Sequence, residues 1–290
     1  MRKIIKRLSL LMGGLAVIFV LALTGLLISV NVRLNKNYVI QPASIPIPTD
    51  SASIEEGQRL ASIYCANCHG EDLAGNDFFN SQGLGTVDAP NLTSGSGGVG
   101  SQYADNDWVR AIRHGVDNLG KPLFIMPSGD LYHLSDDDLG QIVAYLNSLP
   151  PVDGSYNDKS LEIPGRILAA LGALGNVLHA ERIDHDAPRQ EAPVADASVA
   201  YGEYLVTSFG CTTCHGAQLA GGKDPNPDAP PGPNLTRGGN LGNWTATDFI
   251  NLIRARKSEW MPFESLSKMT DQELTAIFRY LESLPALDSK

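Results

Sequence analysis

The strongest constraint on this chain is a short motif that occurs twice and contains all four of its cysteines. The two copies are Cys65-Ala-Asn-Cys68-His69 and Cys211-Thr-Thr-Cys214-His215. Cysteines at this spacing are typical of thioredoxin-like redox pairs and of half a zinc site. Neither interpretation explains a histidine directly after both pairs, and a zinc site of four cysteines would leave both histidines unused.

Cys-x-x-Cys-His is also the pattern at which haem is attached to protein. Its two thiols are spaced to form thioethers with the two vinyl groups of one haem, and the following histidine is placed under the iron as proximal ligand. The sequence therefore predicts two covalently attached haem c groups, one for each copy of the motif.

A longer internal duplication surrounds the two motifs. The shared landmarks are an opening glycine, the motif, a Pro-Asn-Leu-Thr segment, a tryptophan, a Met-Pro pair and a closing Tyr-Leu-x-Ser-Leu-Pro. They begin at Gly57, Cys65, Pro90, Trp108, Met126 and Tyr145 in one unit, and at Gly202, Cys211, Pro233, Trp244, Met261 and Tyr280 in the other. We therefore expect two similar domains, at residues 51–150 and 196–290, joined by a connector at residues 151–195.

The closing segment of each unit has the pattern of a capped, half-buried helix. Ser135 to Asp138 and Thr270 to Glu273 are capping-box patterns, which satisfy free amide donors at a helix start. Apolar residues then recur with helical period at Leu139, Ile142, Val143 and Leu146, and at Leu274, Ile277, Phe278 and Leu281. Strand signals are nearly absent, and the stretches rich in Gly and Pro are expected to be loops, so the predicted fold class is all-α.

The connector contains one further candidate helix, from Pro164 to His179. Ile167, Leu171, Leu174 and Leu178 would share one face, while the other face is mostly Ala, Gly and Asn. A surface helix normally carries charge on its outer face. We therefore favour packing between the two haem domains over contact with a membrane or a partner.

The N-terminus predicts a membrane anchor. Leu8 to Val30 is a run of 23 residues without a charged side chain, and about 20 apolar residues suffice to cross a bilayer. A signal peptide has a shorter apolar region and a small-residue cleavage site, so we favour an uncleaved anchor at residues 1–30. Residues 31–50 contain three prolines and are expected to be an extended tether.

Flanking charges predict the orientation of that anchor. Four basic residues precede the apolar run: Arg2, Lys3, Lys6 and Arg7. Only Arg33 and Lys36 follow it closely. The positive-inside rule then puts the N-terminus in the cytoplasm and both haem domains on the other side. The expected location is the cytoplasmic (inner) membrane of a prokaryote, crossed once, with the haem domains facing the periplasm.

The charge balance excludes one class of partner. The chain carries 22 basic and 32 acidic residues, for a net charge of −10, which is unsuited to binding nucleic acid. Residues 51–150 hold 13 Asp/Glu against 4 Lys/Arg, a net charge of −9, and residues 196–290 hold 11 against 8, a net charge of −3. The acidic first unit fits docking to a basic protein surface, and it fits equally a surface that is merely soluble.

The sixth ligand of each iron decides the chemistry, and two methionines are the best candidates. Met126 and Met261 occupy matching places in the repeat, each before a proline. Met269 directly precedes the capping residue Thr270 and is expected to move with the closing helix. The alternative is that Met126 and Met261 fill gaps in the apolar core.

Four histidines outside the motifs are rival ligands. His114 and His133 belong to the first unit and have no counterpart in the second. His179 and His185 lie in the connector and would reach a haem only if it folded back. We therefore predict the ligand pairs His69/Met126 and His215/Met261, which raise the reduction potential relative to ligation by two histidines.

These landmarks resemble class I cytochrome c domains over about residues 51–150 and 196–290. The resemblance implies that Gly57 and Gly202 lie where the first and last helices cross, opposite Tyr145 and Tyr280. It also implies that Pro90 and Pro233 accept a hydrogen bond from the proximal histidine, a role open to proline because its carbonyl is free. The tryptophan-to-methionine stretches resemble cytochrome subunits of membrane-bound dehydrogenases, and the two-domain plan resembles dihaem cytochromes of the c4 type. The first unit departs from the second by a longer loop at residues 95–100.

The resemblance implies an electron-transfer protein rather than an enzyme. We expect a membrane-anchored dihaem cytochrome c that passes single electrons between respiratory or photosynthetic partners. Its donor would be a quinol-oxidising complex or a dehydrogenase, and its acceptor a terminal oxidase, a reductase or a reaction centre. The alternatives are a fixed subunit of a larger oxidase or dehydrogenase complex and, less favoured, a dihaem peroxidase. An enzyme that uses a cysteine ligand, like thiosulfate dehydrogenase, is excluded because there is no fifth cysteine.

Overall fold

The two repeats fold into two units with the same order of helices. A computed structural model describes residues 2–154, 160–188, 191–223, 229–258 and 260–289. The first unit follows the long helix α1 (Arg2–Leu34) and contains α2 (Ser51–Tyr64), α3 (Ala66–His69), β1 (Asn76–Ser81), β2 (Gly85–Ala89), α4 (Asp105–His114), α5 (Ser128–Leu131) and α6 (Asp136–Ser148). The connector contains β3 (Ser160–Leu161), α7 (Ile163–Ala170) and a 3₁₀ turn (His179–Glu181). The second unit contains α8 (Val199–Ser208), α9 (Thr212–His215), β4 (Ala220–Gly222), β5 (Gly232–Asn234), a 3₁₀ turn (Asn240–Asn243), α10 (Ala246–Ala255), α11 (Phe263–Leu266) and α12 (Asp271–Ser283). The predominantly helical fold is confirmed.

The first and last helices of each unit cross at a glycine. A Cβ atom added to Gly57 of α2 would lie 1.9 Å from the carbonyl oxygen of Gln141 in α6. The matching distance from Gly202 of α8 to the Ala276 oxygen in α12 is 2.0 Å. The predicted apolar stripes of α6 and α12 are buried at these crossings. Only glycine permits this approach, so the crossing is set by the sequence at one position in each unit.

The predicted capping box is complete at α12, whereas only one of its two hydrogen bonds forms at α6. Thr270 accepts from the backbone N–H of Glu273, and the Glu273 carboxylate accepts from the Thr270 N–H at 2.6 Å, which completes the box of α12. Ser135 accepts from the Asp138 N–H at 3.0 Å, but the Asp138 carboxylate does not return the bond. The capping box predicted at Ser135 is therefore wrong in its second half.

A small sheet replaces part of the predicted loops. β1 and β2 form an antiparallel hairpin, and β3 of the connector pairs with the other edge of β2. The hairpin turns through Gly83 and Gly85, both with positive φ, and Phe78, Phe79 and Val87 favour extended backbone. The expectation that this stretch lacks strands is wrong: β1 and β2 pair locally as a hairpin, and β3 adds a short partner from the distant connector.

The connector helix is shorter than predicted and packs elsewhere. α7 ends at Ala170, and Gly172 and Gly175 follow with φ of +72° and +71°, values that interrupt a helix. α7 packs against α1. The predicted helix to His179, and its favoured packing between the two haem domains, are therefore wrong.

The segment after α1 is extended but fastened to the first unit. α1 itself continues to Leu34, beyond the predicted end at residue 30. Tyr38 donates its N–H to the Gly120 carbonyl at 2.8 Å, and Arg110 donates to the Ile40 carbonyl at 2.9 Å. Ile45 is buried in the core of the first unit. The anchor and the first unit are thus joined by packing as well as by the chain.

Candidate haem sites

Each Cys-x-x-Cys-His motif lies on a single helical turn that directly follows the first long helix of its unit. His69 ends α3 and His215 ends α9. The next residues, Gly70 and Gly216, have φ of +83° and +77° and turn the chain back toward the motif. A Cβ atom at Gly216 would lie 2.4 Å from the Gly221 carbonyl oxygen, so a glycine is required at this turn.

Both motif histidines are held through the same ring nitrogen. His69 Nδ1 lies 2.9 Å from the carbonyl oxygen of Pro90, and His215 Nδ1 lies 2.8 Å from that of Pro233. A carbonyl oxygen only accepts, so Nδ1 carries the proton in each ring and Nε2 keeps its lone pair. Burial lowers the pKa of both imidazoles and favours this neutral form. The hydrogen bonds predicted for Pro90 and Pro233 are confirmed, and each Nε2 is in the form that binds a metal.

Two asparagines position those proline carbonyls, a role that was not predicted from the sequence. Asn91 donates to the Val152 carbonyl at 2.7 Å and accepts from the Thr93 N–H at 2.8 Å. Asn234 makes the matching bonds to Leu287 at 2.7 Å and to the N–H of the threonine two residues on, at 2.8 Å. Both asparagines are buried. Each asparagine holds the proline segment to the chain that follows the closing helix. The sequence signal for this role was the occurrence of an asparagine directly after the proline in both units.

The four cysteines are arranged as two pairs of thiols without a disulfide. Burial raises the pKa of Cys65 and of Cys211 to about 12 and that of Cys68 to about 11. Burial thus favours the neutral form of these three thiols, and neutral paired thiols suit attachment to an apolar macrocycle. Paired thiols beside an imidazole with a free Nε2 fit a covalently bound haem in both units.

Met126 and Met261 lie at matching places in the two units. Each immediately precedes the proline that caps a short helix, α5 in the first unit and α11 in the second. Both side chains are half-buried and pack against the core of their own unit. Met269 is 2% exposed and lies in the core just ahead of α12, as expected.

An arginine ties the end of each methionine loop to the closing helix. Arg113 of α4 donates to the Leu134 carbonyl and to Asp136. Arg254 of α10 makes the same two contacts, with the Met269 carbonyl and Asp271. These braces occur at matching positions of the repeat, so both methionine loops are held in the same way.

Three of the four rival histidines, His114, His179 and His185, have protein partners. The connector does fold back onto the first unit: His179 Nδ1 accepts from the Gly129 N–H at 3.0 Å, and His185 Nδ1 lies 3.0 Å from His114 Nδ1. His185 Nε2 lies 3.0 Å from the Ala180 carbonyl. Both ring nitrogens of His185 are therefore engaged, and His114 is buried beside it.

Comparison with known proteins identifies the family. The profile described as cytochrome c oxidase, cbb3-type, subunit III matches residues 52–146 and 197–281. The chain belongs to this cytochrome c family. With two Cys-x-x-Cys-His motifs, the cytochrome carries two covalently bound haem c groups and is an electron-transfer protein.

Several proteins are similar to this cytochrome. The gluconate 2-dehydrogenase cytochrome c subunit of Pantoea cypripedii is 30% identical, with 83% of this chain and 61% of that protein covered. The cytochrome c subunit of the quinone-dependent alcohol dehydrogenase of Gluconacetobacter polyoxogenes is 26% identical, with 81% and 57% covered. The chain thus spans about three fifths of the length of these relatives. Among solved structures, reduced cytochrome c4 from Pseudomonas stutzeri has 19% identity and a TM-score of 0.23, with 80% of this chain and 98% of that chain covered.

The two haem-binding units of the cytochrome meet through their first helices. The rings of Tyr64 and Phe209 are 6.0 Å apart, and the Tyr64 hydroxyl lies 3.0 Å from that of Ser208. Tyr64 directly precedes Cys65, and Phe209 lies two residues before Cys211. An aromatic contact therefore lies between the two haem-attachment motifs.

Residues two positions after the crossing glycines reach across to the cap of the opposite unit. Arg59 of α2 forms an ion pair with Glu273 at 2.9 Å, at the start of α12. Tyr204 of α8 accepts from the Ser135 N–H at 3.0 Å and donates to the Asp138 carboxylate, at the start of α6. The Tyr204 hydroxyl thus takes the place of the missing half of the first capping box. Each unit completes or braces the closing helix of the other.

We expect Tyr204→Phe to lower the free energy of unfolding by about 2 kcal/mol, because a buried N–H and a carboxylate both lose their partner. Denaturant unfolding of the haem-loaded protein measures the change. Tyr201→Phe is the matched control, since the Tyr201 ring stacks on Tyr204 and its hydroxyl has no hydrogen bond to the described part of the chain. Equal losses in the two variants would contradict the role given to the Tyr204 hydroxyl.

Proposed function

We propose that this cytochrome passes single electrons between its two units at the outer face of the cytoplasmic membrane, with axial ligand pairs His69/Met126 and His215/Met261. Haem c supplies the one-electron iron couple. The observation that carries the proposal is the twofold site: in both units a histidine is bonded through Nδ1 to a proline carbonyl, and a methionine lies before α5 or α11.

The surrounding residues support electron transfer without substrate chemistry. The proline carbonyls orient the imidazoles and leave Nε2 for the iron. The thioether of Met126 or Met261 is neutral and soft, so as an iron ligand it would favour the reduced state and raise the reduction potential. The proposed ligation is the same at both sites, whereas a dihaem peroxidase needs one iron with an exchangeable position.

The contact between the units supports electron exchange within one chain. Tyr64 and Phe209 bring the two attachment motifs next to each other, and the ion pair between Arg59 and Glu273 holds the units together. The pKa of Arg59 is raised by its hydrogen bond to Glu56 and further by Glu273, so the guanidinium stays charged. A fixed orientation of the two units lets an electron cross without domain motion.

Packing of α1 supports a retained anchor. α1 is long and apolar enough to cross a membrane. Val30, near its end, is 1% exposed, and Arg33 forms an ion pair with Glu181 at 2.7 Å. Removal of α1 by cleavage would expose the apolar residues packed against Val30 and would leave Glu181 without its ion-pair partner. Together with the basic residues ahead of the apolar run, this supports the proposal that the haem units lie on the periplasmic side of an inner membrane.

The relatives favour one kind of partner. They are named as cytochrome subunits of gluconate, alcohol and fructose dehydrogenases. We therefore propose that the electron donor is a membrane-bound dehydrogenase, with which this chain forms a fixed complex, and that the acceptor is a further redox protein of the membrane. The acidic first unit, with a net charge of −9, suits a basic face on the donor or the acceptor.

Blue native electrophoresis of gently solubilised membranes tests the fixed complex. Haem staining at the mobility of a large complex, together with dehydrogenase activity in the same band, supports it. Migration of the cytochrome alone would contradict a fixed complex and would support a freely diffusing electron carrier. Reduction of the isolated protein in two one-electron steps, without turnover of peroxide, tests electron transfer itself.

A carboxyl at the contact between the units predicts a pH-dependent potential. Asp130 of α5 lies against Gly210, where an added Cβ would be 2.5 Å from the carboxylate. Burial raises the pKa of Asp130 to about 6. Its ionisation adds negative charge beside Cys211 and stabilises the oxidised iron of the second unit. We therefore expect the potential of that haem to fall as pH rises through about 6.

Potentiometric titration between pH 5 and pH 8 measures this fall. Asp130→Asn is expected to remove it, because the amide does not ionise. Asp137→Asn, at an exposed position in the first turn of α6, is the matched control and should leave it unchanged. A pH dependence that survives in Asp130→Asn would contradict the assignment.

A further inference from the structure

One face of the last third of α1 is covered by protein. Leu23, Leu26 and Leu27 are half-buried and Val30 is buried, at the spacing of one helix face, whereas residues 2–22 are exposed all round. The covering element is α7, which packs along this part of α1. Val30 shares a small apolar cluster with Ala169 and Leu178 of the connector.

The covered positions lie inside the apolar run rather than beyond it. Leu23 precedes Val30, the last residue of the run, by seven positions, which is about 10 Å along a helix axis. If α1 spans a bilayer, its uncharged run defines the depth of the hydrocarbon region. α7 lies beside that run, so it lies at the depth of the outer headgroup and acyl boundary.

The outward surface of α7 suits that depth. Ile163 is 61% exposed and Leu171 is 65% exposed. No charged residue occurs between Ile167 and Leu178, and Arg166 is the only charged residue from Ile163 onward in this stretch. An open groove of about 530 Å³ between α1 and α7 is lined by Leu27, Leu161, Ile163 and Pro164, with Glu162 and Arg166 as its charged residues. An apolar face with its charged residues confined to the start of the segment is compatible with a helix that lies in a membrane interface.

We propose that residues 163–174, the docking segment, dock into the outer leaflet of the bilayer that α1 crosses, with phospholipid as the partner. The inference rests on the proposed membrane span of α1. The continuity of the docking segment with α1 selects lipid over a protein partner, since any occupant of this face shares the depth of the apolar run. The cytochrome is then held to the membrane at two points, and α1 and the docking segment together fix the height and tilt of the first unit.

Nitroxide labels on the full, haem-loaded and reduced chain in phospholipid nanodiscs test this proposal. Single cysteines are introduced as Leu171→Cys in the docking segment, Leu21→Cys in the exposed part of α1 and Glu203→Cys on the exposed side of α8. Collision rates with oxygen, which concentrates in lipid, and with a water-soluble nickel chelate are compared by power-saturation EPR. We expect the oxygen-to-nickel ratio at position 171 to approach that at 21 and to exceed that at 203 several-fold.

The other outcomes overturn the proposal in distinguishable ways. A lipid-exposed label at 21 with a water-exposed label at 171 contradicts docking while leaving the anchor intact. A label at 171 protected from both reagents shows a protein on this face, either a second copy or another subunit, and also contradicts lipid docking. Water exposure at both 21 and 171 contradicts the membrane span itself.

Discussion

Gly202→Ala is expected to lower the free energy of unfolding by a net of about 1–2 kcal/mol. The added methyl group would lie 2.0 Å from the Ala276 oxygen, so α8 and α12 must separate, and overpacking of this kind typically costs about 1–3 kcal/mol. Alanine recovers about 1 kcal/mol of helix propensity relative to glycine, which the clash exceeds at so short a distance. Denaturant unfolding of the haem-loaded protein, followed by far-ultraviolet circular dichroism, measures the loss.

Glu203→Ala is the matched control for this substitution. Glu203 is the next residue on α8 and is exposed, so its replacement should change stability by no more than about 0.5 kcal/mol. A neutral or stabilising Gly202→Ala would show that the two helices do not need the close crossing. The shared architecture of the two units would then lack its main sequence determinant.

Met261→Ala is expected to remove the iron–sulfur signature of the second haem and to lower its reduction potential, because the thioether that favours ferrous iron is lost. Met269→Ala removes the other methionine of this unit, which is fully buried in the core. That variant should lose about 2–5 kcal/mol of stability while keeping the signature. Near-infrared magnetic circular dichroism and potentiometry of both variants separate the two roles.

The reverse pattern would overturn the assignment of the ligand. If Met269→Ala loses the signature and Met261→Ala retains it, Met261 is a packing residue and the core methionine reaches the iron. If neither variant changes the spectrum, a residue other than these two methionines is the sixth ligand of the second haem.

The features that the sequence predicted correctly are set by short spacings or by one residue type. The resemblance to class I cytochrome c domains implied Gly57 and Gly202 as crossing points, and the structure shows an approach there that only glycine permits. The bonds from His69 and His215 were predictable because a proline carbonyl accepts without a competing N–H. In both cases the repeat supplied two independent examples of one local rule.

The features that were missed depend on residues far apart in the chain. The capping box at Ser135 fails because Tyr204, 69 positions away, supplies the second half. The pairing of β2 with β3 joins a loop of the first unit to the connector. Similarly, α7 was expected between the units because its uncharged surface indicates burial, and the pattern does not tell a protein partner from α1 or from lipid. Local patterns predict that a surface is covered, whereas tertiary packing determines what covers it.

The most direct test of methionine–histidine ligation is the near-infrared magnetic circular dichroism spectrum of the oxidised, haem-loaded protein. The account predicts two low-spin ferric haems, both with the charge-transfer band of histidine–methionine ligation, at an intensity equal to two sites per chain. One site with high-spin or bis-histidine character would contradict it. That result would revive a peroxidase function and make His114, His133, His179 and His185 the residues to replace.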